Sequence, residues 1–265
     1  MSSLATEIRR SVLEQSMRAR VGHIGSALSI ADLMAALYGE VLQVGAPEDP
    51  DRDRLILSKG HAALALYAAL HATGRLTDAE LDTYCADGSL LGGHPEHALS
   101  YVDFATGSLG HGLSIGAGAA LGARLGGSGR RVFVVMSDAE CNEGSVWEAV
   151  MFAAHHQLGN LVAIVDVNGQ QALGYTRDVI NLEPLADRWS AFGWDVHEVD
   201  GHDSRGVAEQ IDGLNTARGA PHVLLARTTF GKGVSYMEST IAWHYWPMND
   251  GQYAEALREL EDGAR

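Results

Sequence analysis

Two runs of this chain are predominantly apolar, and each ends abruptly in polar residues. Arg131-Val132-Phe133-Val134-Val135-Met136 meets Ser137-Asp138-Ala139-Glu140, and Leu161 to Val167 meets Asn168-Gly169-Gln170. A strand with one face in water alternates apolar and polar side chains. A continuous run needs cover on both faces, the condition of a strand inside a parallel sheet. Glu143 to His156 between them reads as a helix, which makes a strand-helix-strand unit.

The pattern extends in both directions. Leu4, Ile8, Val12 and Met17 recur near helical spacing over residues 3 to 20. Gly22 to Ser26 breaks that helix, and Ser29 is placed to cap a second one carrying Leu33, Met34, Leu37 and Tyr38. Leu55-Ile56-Leu57-Ser58 is a short strand running into Lys59-Gly60-His61. Thr106 to Gly112 is a glycine-rich turn that opens a helix of small residues. Trp194 to Val199 reads as a third buried strand, residues 204 to 218 as a helix, and His222 to Ala226 as a fourth strand. The chain closes on a charged helix, YAEALRELEDGAR. Strands alternating with helices at this spacing predict an α/β fold: a mostly parallel sheet with helices on both faces, plus an N-terminal helical layer. No linker, repeat or low-complexity segment divides it, so residues 1 to 265 are read as one domain.

Composition narrows the function. With 34 acidic against 19 basic residues the formal charge is −15. Such a surface argues against nucleic acid and anionic membranes as partners. An anionic ligand must then be held by local devices: a metal, helix N-termini, backbone amides. Cys85 and Cys141 give no disulfide framework, and Cys141 has no recognisable base partner that would make it a nucleophile. The N-terminus lacks a signal-peptide core, and no apolar run approaches the roughly 20 residues that cross a bilayer. The chain is expected in the cytoplasm.

In open parallel sheets ligands bind at the carboxyl ends of strands. Asp138 and Asn168 both sit there, one strand-helix-strand unit apart, so their side chains can meet. A carboxylate, an amide oxygen and a nearby backbone carbonyl, here that of Gln170, form a hard-oxygen set suited to Mg2+, which keeps open positions for phosphate oxygens. A strand-end Asp and Asn can also simply cap turns.

The run SDAECNEGSVWEAVMFAAHHQLGNLVAIVDVNGQQALG resembles the thiamine diphosphate motif of transketolases, with Ser137 and Ala139 standing where the family pattern has glycines. Other segments match in the family's order: Gly22 to Ser29, Ser58 to Ala63, Gly93 to Glu96, Thr106 to Gly112, and Thr228 to Gly233 followed by Trp243-His244-Tyr245. The chain thus resembles the diphosphate-binding half of a two-component transketolase. The resemblance implies thiamine diphosphate held through Mg2+, or Ca2+ or Mn2+ in its place, with Asp138, Asn168 and the Gln170 carbonyl as ligands. It assigns Gly107, Leu109, Gly110, His111, Ala139 and Glu140 to the cofactor as well. His61 would contact the diphosphate, His94 the donor's terminal hydroxyl, and His23 and His244 substrate oxygens during proton transfer. Histidine suits proton traffic because its unperturbed pKa lies near 6.5. His155, His156, His197 and His222 have no such context and are read as structural or surface residues.

Glu143 either meets a partner chain or stabilises the helix it begins. The activating glutamate and the aromatic residues that stack on the pyrimidine ring belong, by the same resemblance, to a pyrimidine-binding domain. They are expected on a C-terminal partner subunit, in an α2β2 heterotetramer acting on sugars or sugar phosphates. Trp243, Tyr245 and Trp246 either mark an interface or fold back on this chain's own core. Two other classes stay open: a thiamine enzyme that decarboxylates or ligates a 2-oxo acid, and a scaffold subunit without catalysis. Nicotinamide binding is disfavoured, because no strand runs into G-x-G-x-x-G.

Overall fold

A computed structural model describes residues 3–217 and 219–263. Five strands form one parallel sheet: β1 (Arg54–Leu57), β2 (Val132–Ser137), β3 (Leu161–Val167), β6 (Asp195–Asp200) and β7 (His222–Arg227), in the order β1-β2-β3-β7-β6. Two short strands, β4 (Gln170–Gln171) and β5 (Gly174–Tyr175), form a separate antiparallel ribbon beyond the end of β3.

Every residue of β2 and β3 is buried, as their predominantly apolar runs require. Alternate residues feed two cores. Phe133, Val135, Val162, Ile164 and Leu224 face one side. There they pack with helices α1 (Ser3–Ala19), α2 (Ile24–Ser29), α3 (Ala31–Ala36), α4 (Ala63–Ala72), α10 (Ser204–Asp212) and α11 (Asp250–Gly263). Val132, Val134, Met136, Ala163 and Val165 face the other side, against α6 (Gly112–Leu125), α7 (Gly144–His155) and α9 (Leu185–Ala191). The short helices α5 (Asp78–Leu81) and α8 (Thr176–Val179) lie in connecting loops. Among the described residues no helix is long and apolar enough to cross a membrane.

Four expectations need correction. The strand expected to be a third buried one is β6, an edge strand of exposed and half-buried residues. Among the described residues it pairs only with β7, and its Asp195, Glu198 and Asp200 leave an edge ill suited to further pairing. Ser29 caps no helix: it is the last residue of α2, and its hydroxyl reaches across to β3. The helix expected over 204 to 218 stops at Asp212, where Gly213 follows in a turn, and Arg218 lies outside the described residues. The terminal helix begins three residues before Tyr253, at Asp250, and Ala264 and Arg265 also lie outside.

This topology decides where chemistry can occur. β1, β2, β3 and β7 run in the same direction, so Ser58, Asp138, Asn168 and Thr228 emerge together at their carboxyl ends.

Candidate active site

The strand ends are organised around one carboxylate, the acid inside the otherwise apolar β3. Asp166 is fully buried and takes four donors. Its Oδ1 accepts from the Ser29 hydroxyl at 2.8 Å and from the Thr228 hydroxyl. Its Oδ2 accepts from Lys59 Nζ at 2.5 Å and Asn168 Nδ2 at 2.7 Å. An amide whose nitrogen is tied to a carboxylate has its oxygen turned the other way. Asn168 Oδ1 accordingly faces the Gln170 backbone N–H, 2.9 Å away.

Asp138 ends β2 beside it. Among the described residues its oxygens accept only backbone N–H groups, from Ala139 at 2.9 Å and Gly169 at 3.0 Å. Burial first, and the Asp166 charge second, push its carboxyl up to about 7. A carboxylate this starved of positive charge is a place where a cation gains more than it would at the surface.

His23, His61, His94 and His244 converge on a cavity of about 380 Å³, whose wall also includes Lys59, Gly107, Leu109, Ala139, Asn168 and Gln170. The His23 and His61 rings lie 5.5 Å apart, and His244 stacks on Phe230 at 4.3 Å. Burial is the main reason three of them resist protonation: His61 is lowered to about 2, with Lys59 and the neighbouring histidines adding to it. His244 is lowered to about 4 by burial and then Lys59, and His23 is lowered by burial and then His94. These rings are neutral at pH 7, so each offers one N–H donor and one acceptor nitrogen.

The glycine-rich turn is held from behind by Glu140. This fully buried carboxylate accepts from the Ser58 hydroxyl at 2.5 Å and from the N–H groups of Gly110 at 2.9 Å and Ser137 at 3.0 Å. Gly110 has φ +85°, and a Cβ there would lie 2.6 Å from Glu143 Cβ, so no other residue fits. The outcome for the expected cofactor residues is mixed. Gly107, Leu109 and Ala139 line the cavity; Glu140 and Gly110 brace its wall without lining it. His111 is exposed beside Ser108 and Ile115 in a separate shallow depression. The reason is local: His111 stands at the N-terminus of α6, and the positive φ at Gly110 turns the chain away just before it.

Whether the cavity suits a metal-bound diphosphate can be judged from its atoms. His23 Nδ1, His244 Nε2, Asn142 Oδ1, Gln171 Nε2 and both polar atoms of the Gln170 side chain are buried with no hydrogen-bond partner among the described residues. All belong to residues lining the cavity, and unpaired buried polar atoms are costly unless a ligand satisfies them. Among the described residues no three His, Cys, Asp or Glu side chains converge as a metal site. Asp138 with amide and carbonyl oxygens is a hard-oxygen donor set, which fits Mg2+ rather than a closed zinc site.

The family described as the transketolase thiamine diphosphate binding domain matches residues 1–261. The chain belongs to that family. Among its relatives is an apulose-4-phosphate transketolase subunit from Phocaeicola vulgatus, 40% identical over 96% of this chain and 91% of the relative. Another is the 6-deoxy-6-sulfo-D-fructose transketolase subunit SqwG of Clostridium sp. (strain MSTE9), 38% identical over 97% of this chain and 94% of that one. Among solved structures, a transketolase mutant from Pichia stipitis superposes with TM-score 0.89 at 29% identity. It is matched over 98% of this chain and 40% of its own length, so this family member spans about two fifths of the solved transketolases.

Reading the sequence alone missed part of this transketolase-family site. Lys59 and Asp166 form a buried ion pair, and Asp166 orients Asn168. The available signal was an acid inside an otherwise apolar strand, which has to find a partner. Glu143 begins α7 without a side-chain capping bond and lines the exposed rim of the cavity. Trp243 folds back, its Nε1 donating to the Tyr236 carbonyl at 3.0 Å, whereas Tyr245 and Trp246 remain 54% and 65% exposed. Cys141 is buried and its thiol is pushed well up by burial, which rules out a resting thiolate.

Proposed function

We propose that this chain is the diphosphate-binding subunit of a two-component, cytoplasmic transketolase, assembled with a pyrimidine-binding partner as α2β2. In this reading residues 1 to 265 form one domain, and the pyrimidine-binding and C-terminal domains lie on the partner. The observation that carries the reading is one cavity holding four histidines at the edge of the Asp138, Asn168 and Gln170 oxygen set. The two relatives named as transketolase subunits, each matched over more than nine tenths of its length, support the division between chains.

Asp138, Asn168 and the Gln170 carbonyl would hold Mg2+, whose charge would in turn bind a diphosphate. Thiamine diphosphate bound there supplies the nucleophilic carbon and electron sink for cleaving a bond beside a ketose carbonyl. This chain's residues position ligands and manage protons. His61 donates to the diphosphate, while Gly107, Leu109 and Ala139 give close approach along the cofactor. His94 binds the donor's terminal hydroxyl, and His23 and His244 hand protons to and from substrate oxygens. Neutral rings are the form such transfer needs at pH 7.

Lys59 is the only lysine or arginine among the described residues lining the cavity, and Asp166 already neutralises it. The anionic end of a ketose phosphate or sulfonate, the groups named for these two relatives, is therefore gripped by the partner. The test is ketol transfer from a panel of ketoses to an aldose by this chain alone and with its partner. Turnover only with both chains, without carbon dioxide release, is expected. Turnover by this chain alone would refute the division, and carbon dioxide release from a 2-oxo acid would refute the ketol chemistry.

A further inference from the structure

His202 lies outside the cavity, yet both of its ring nitrogens are committed. The Thr229 backbone N–H donates to Nε2 at 2.8 Å, so Nε2 is unprotonated and the ring proton sits on Nδ1. Nδ1 is 2.8 Å from Asp32 Oδ2 and donates to it. One tautomer is thus dictated from both sides. Asp32 is fully buried and also takes the Arg9 guanidinium on both oxygens, while Arg9 Nε donates to the Lys232 carbonyl at 3.1 Å. The segment from Thr228 to Lys232 is therefore fastened to the helical layer at Thr229 and at Lys232.

That segment carries two groups into the site. The Thr228 hydroxyl donates to Asp166, the carboxylate that orients Asn168, and Phe230 is the ring on which His244 stacks. A shift at Thr229 moves both neighbours, because each is one peptide away. We infer that His202 is a positioning residue for the site. Through Thr229 it sets Thr228 and Phe230, and through them the Asn168 amide and the His244 ring. Its bearing on metal and cofactor affinity rests on the function proposed above; its hold on Thr229 and Asn168 does not.

Two substitutions separate the two arms of the ring. In His202→Asn the side-chain amide reaches the place of Nδ1 and keeps the Asp32 contact, but it is too short to meet Thr229. In His202→Gln the amide oxygen reaches the place of Nε2 and keeps the Thr229 contact, leaving Asp32 to Arg9. On the full chain, 15N spectra of the wild type should show His202 as the Nδ1–H tautomer. His202→Asn should speed exchange of the Thr229 amide about tenfold, the loss of one hydrogen bond, and shift the Asn168 side-chain amide. His202→Gln should leave both near wild type. With the partner present, His202→Asn should weaken Mg2+-dependent thiamine diphosphate binding about tenfold and His202→Gln should restore it. An Nε2–H tautomer would overturn the inference, as would Thr229 and Asn168 signals that both variants move equally or that neither moves. A wild type that binds no cofactor would sink the proposed function, and the amide signals would still decide the role of His202.

Discussion

Lys59 and Asp166 are 1% and 0% exposed, and their ion pair holds one side of the site. Breaking a buried pair from one side leaves an uncompensated charge, at a cost of about 3–5 kcal/mol. The two sides are not equal here. In Lys59→Met the Asp166 carboxylate keeps three donors, from Ser29, Thr228 and Asn168, which places the loss near 3 kcal/mol. In Asp166→Asn the charged Lys59 amine keeps no anion, only the neutral amide oxygen and the Ser26 carbonyl at 3.4 Å, so the loss should approach 5 kcal/mol. The double variant buries neither charge and should return to within about 2 kcal/mol of the wild type. Urea titrations at pH 7, followed by tryptophan fluorescence, measure all four corners, and Lys59→Met should melt roughly 10 °C lower. A Lys59→Met loss below about 1 kcal/mol, or additive single losses, would refute the assignment of this pair as a coupled charged unit.

Three further outcomes follow from the same geometry. His244 is lowered from 6.5 to about 4, so its contribution to stability is complete above pH 6.5 and is lost as the pH falls toward 4. Between pH 7 and 5 that amounts to about 2 kcal/mol, and His244→Gln should flatten the stability curve by that much. Asp138 is raised to about 7, which stabilises the fold at acid pH and is lost as the pH rises through 7. Asp138→Asn should therefore gain on the wild type between pH 5 and 8 in urea titrations, while its Mg2+-dependent cofactor binding disappears. A Cβ on Gly25 would lie 2.2 Å from Phe230 Cε1, so Gly25→Ala should cost about 1–3 kcal/mol and displace the ring that supports His244. Thermal melts and cofactor titration together check that outcome.

The parts legible in the sequence are those with a local cause. Predominantly apolar runs announced β2 and β3 because both faces of those strands are covered, and the carboxyl-end rule then placed Asp138 and Asn168 together. Histidines 23, 61, 94 and 244 were legible only as a set of matching local contexts; the cavity joins loops as far apart in sequence as His23 and Tyr245. What escaped depends on long-range assembly. Nothing near Ser29 says that its hydroxyl meets an acid 137 positions away, and nothing near His202 says that it meets Asp32. β6 was misplaced because hydrophobic residues report burial on one face as readily as on two. The direction of His111 is set by the turn at Gly110, and composition does not encode a backbone angle.

The most direct test of the account is calorimetric titration of thiamine diphosphate into this chain together with its partner, with and without Mg2+, for the wild type and Asp138→Ala. Binding that needs Mg2+ in the wild type and vanishes in Asp138→Ala at unchanged folding is the predicted result. Binding of equal strength without Mg2+, or retained in Asp138→Ala, would contradict a metal-held diphosphate at the ends of β2 and β3.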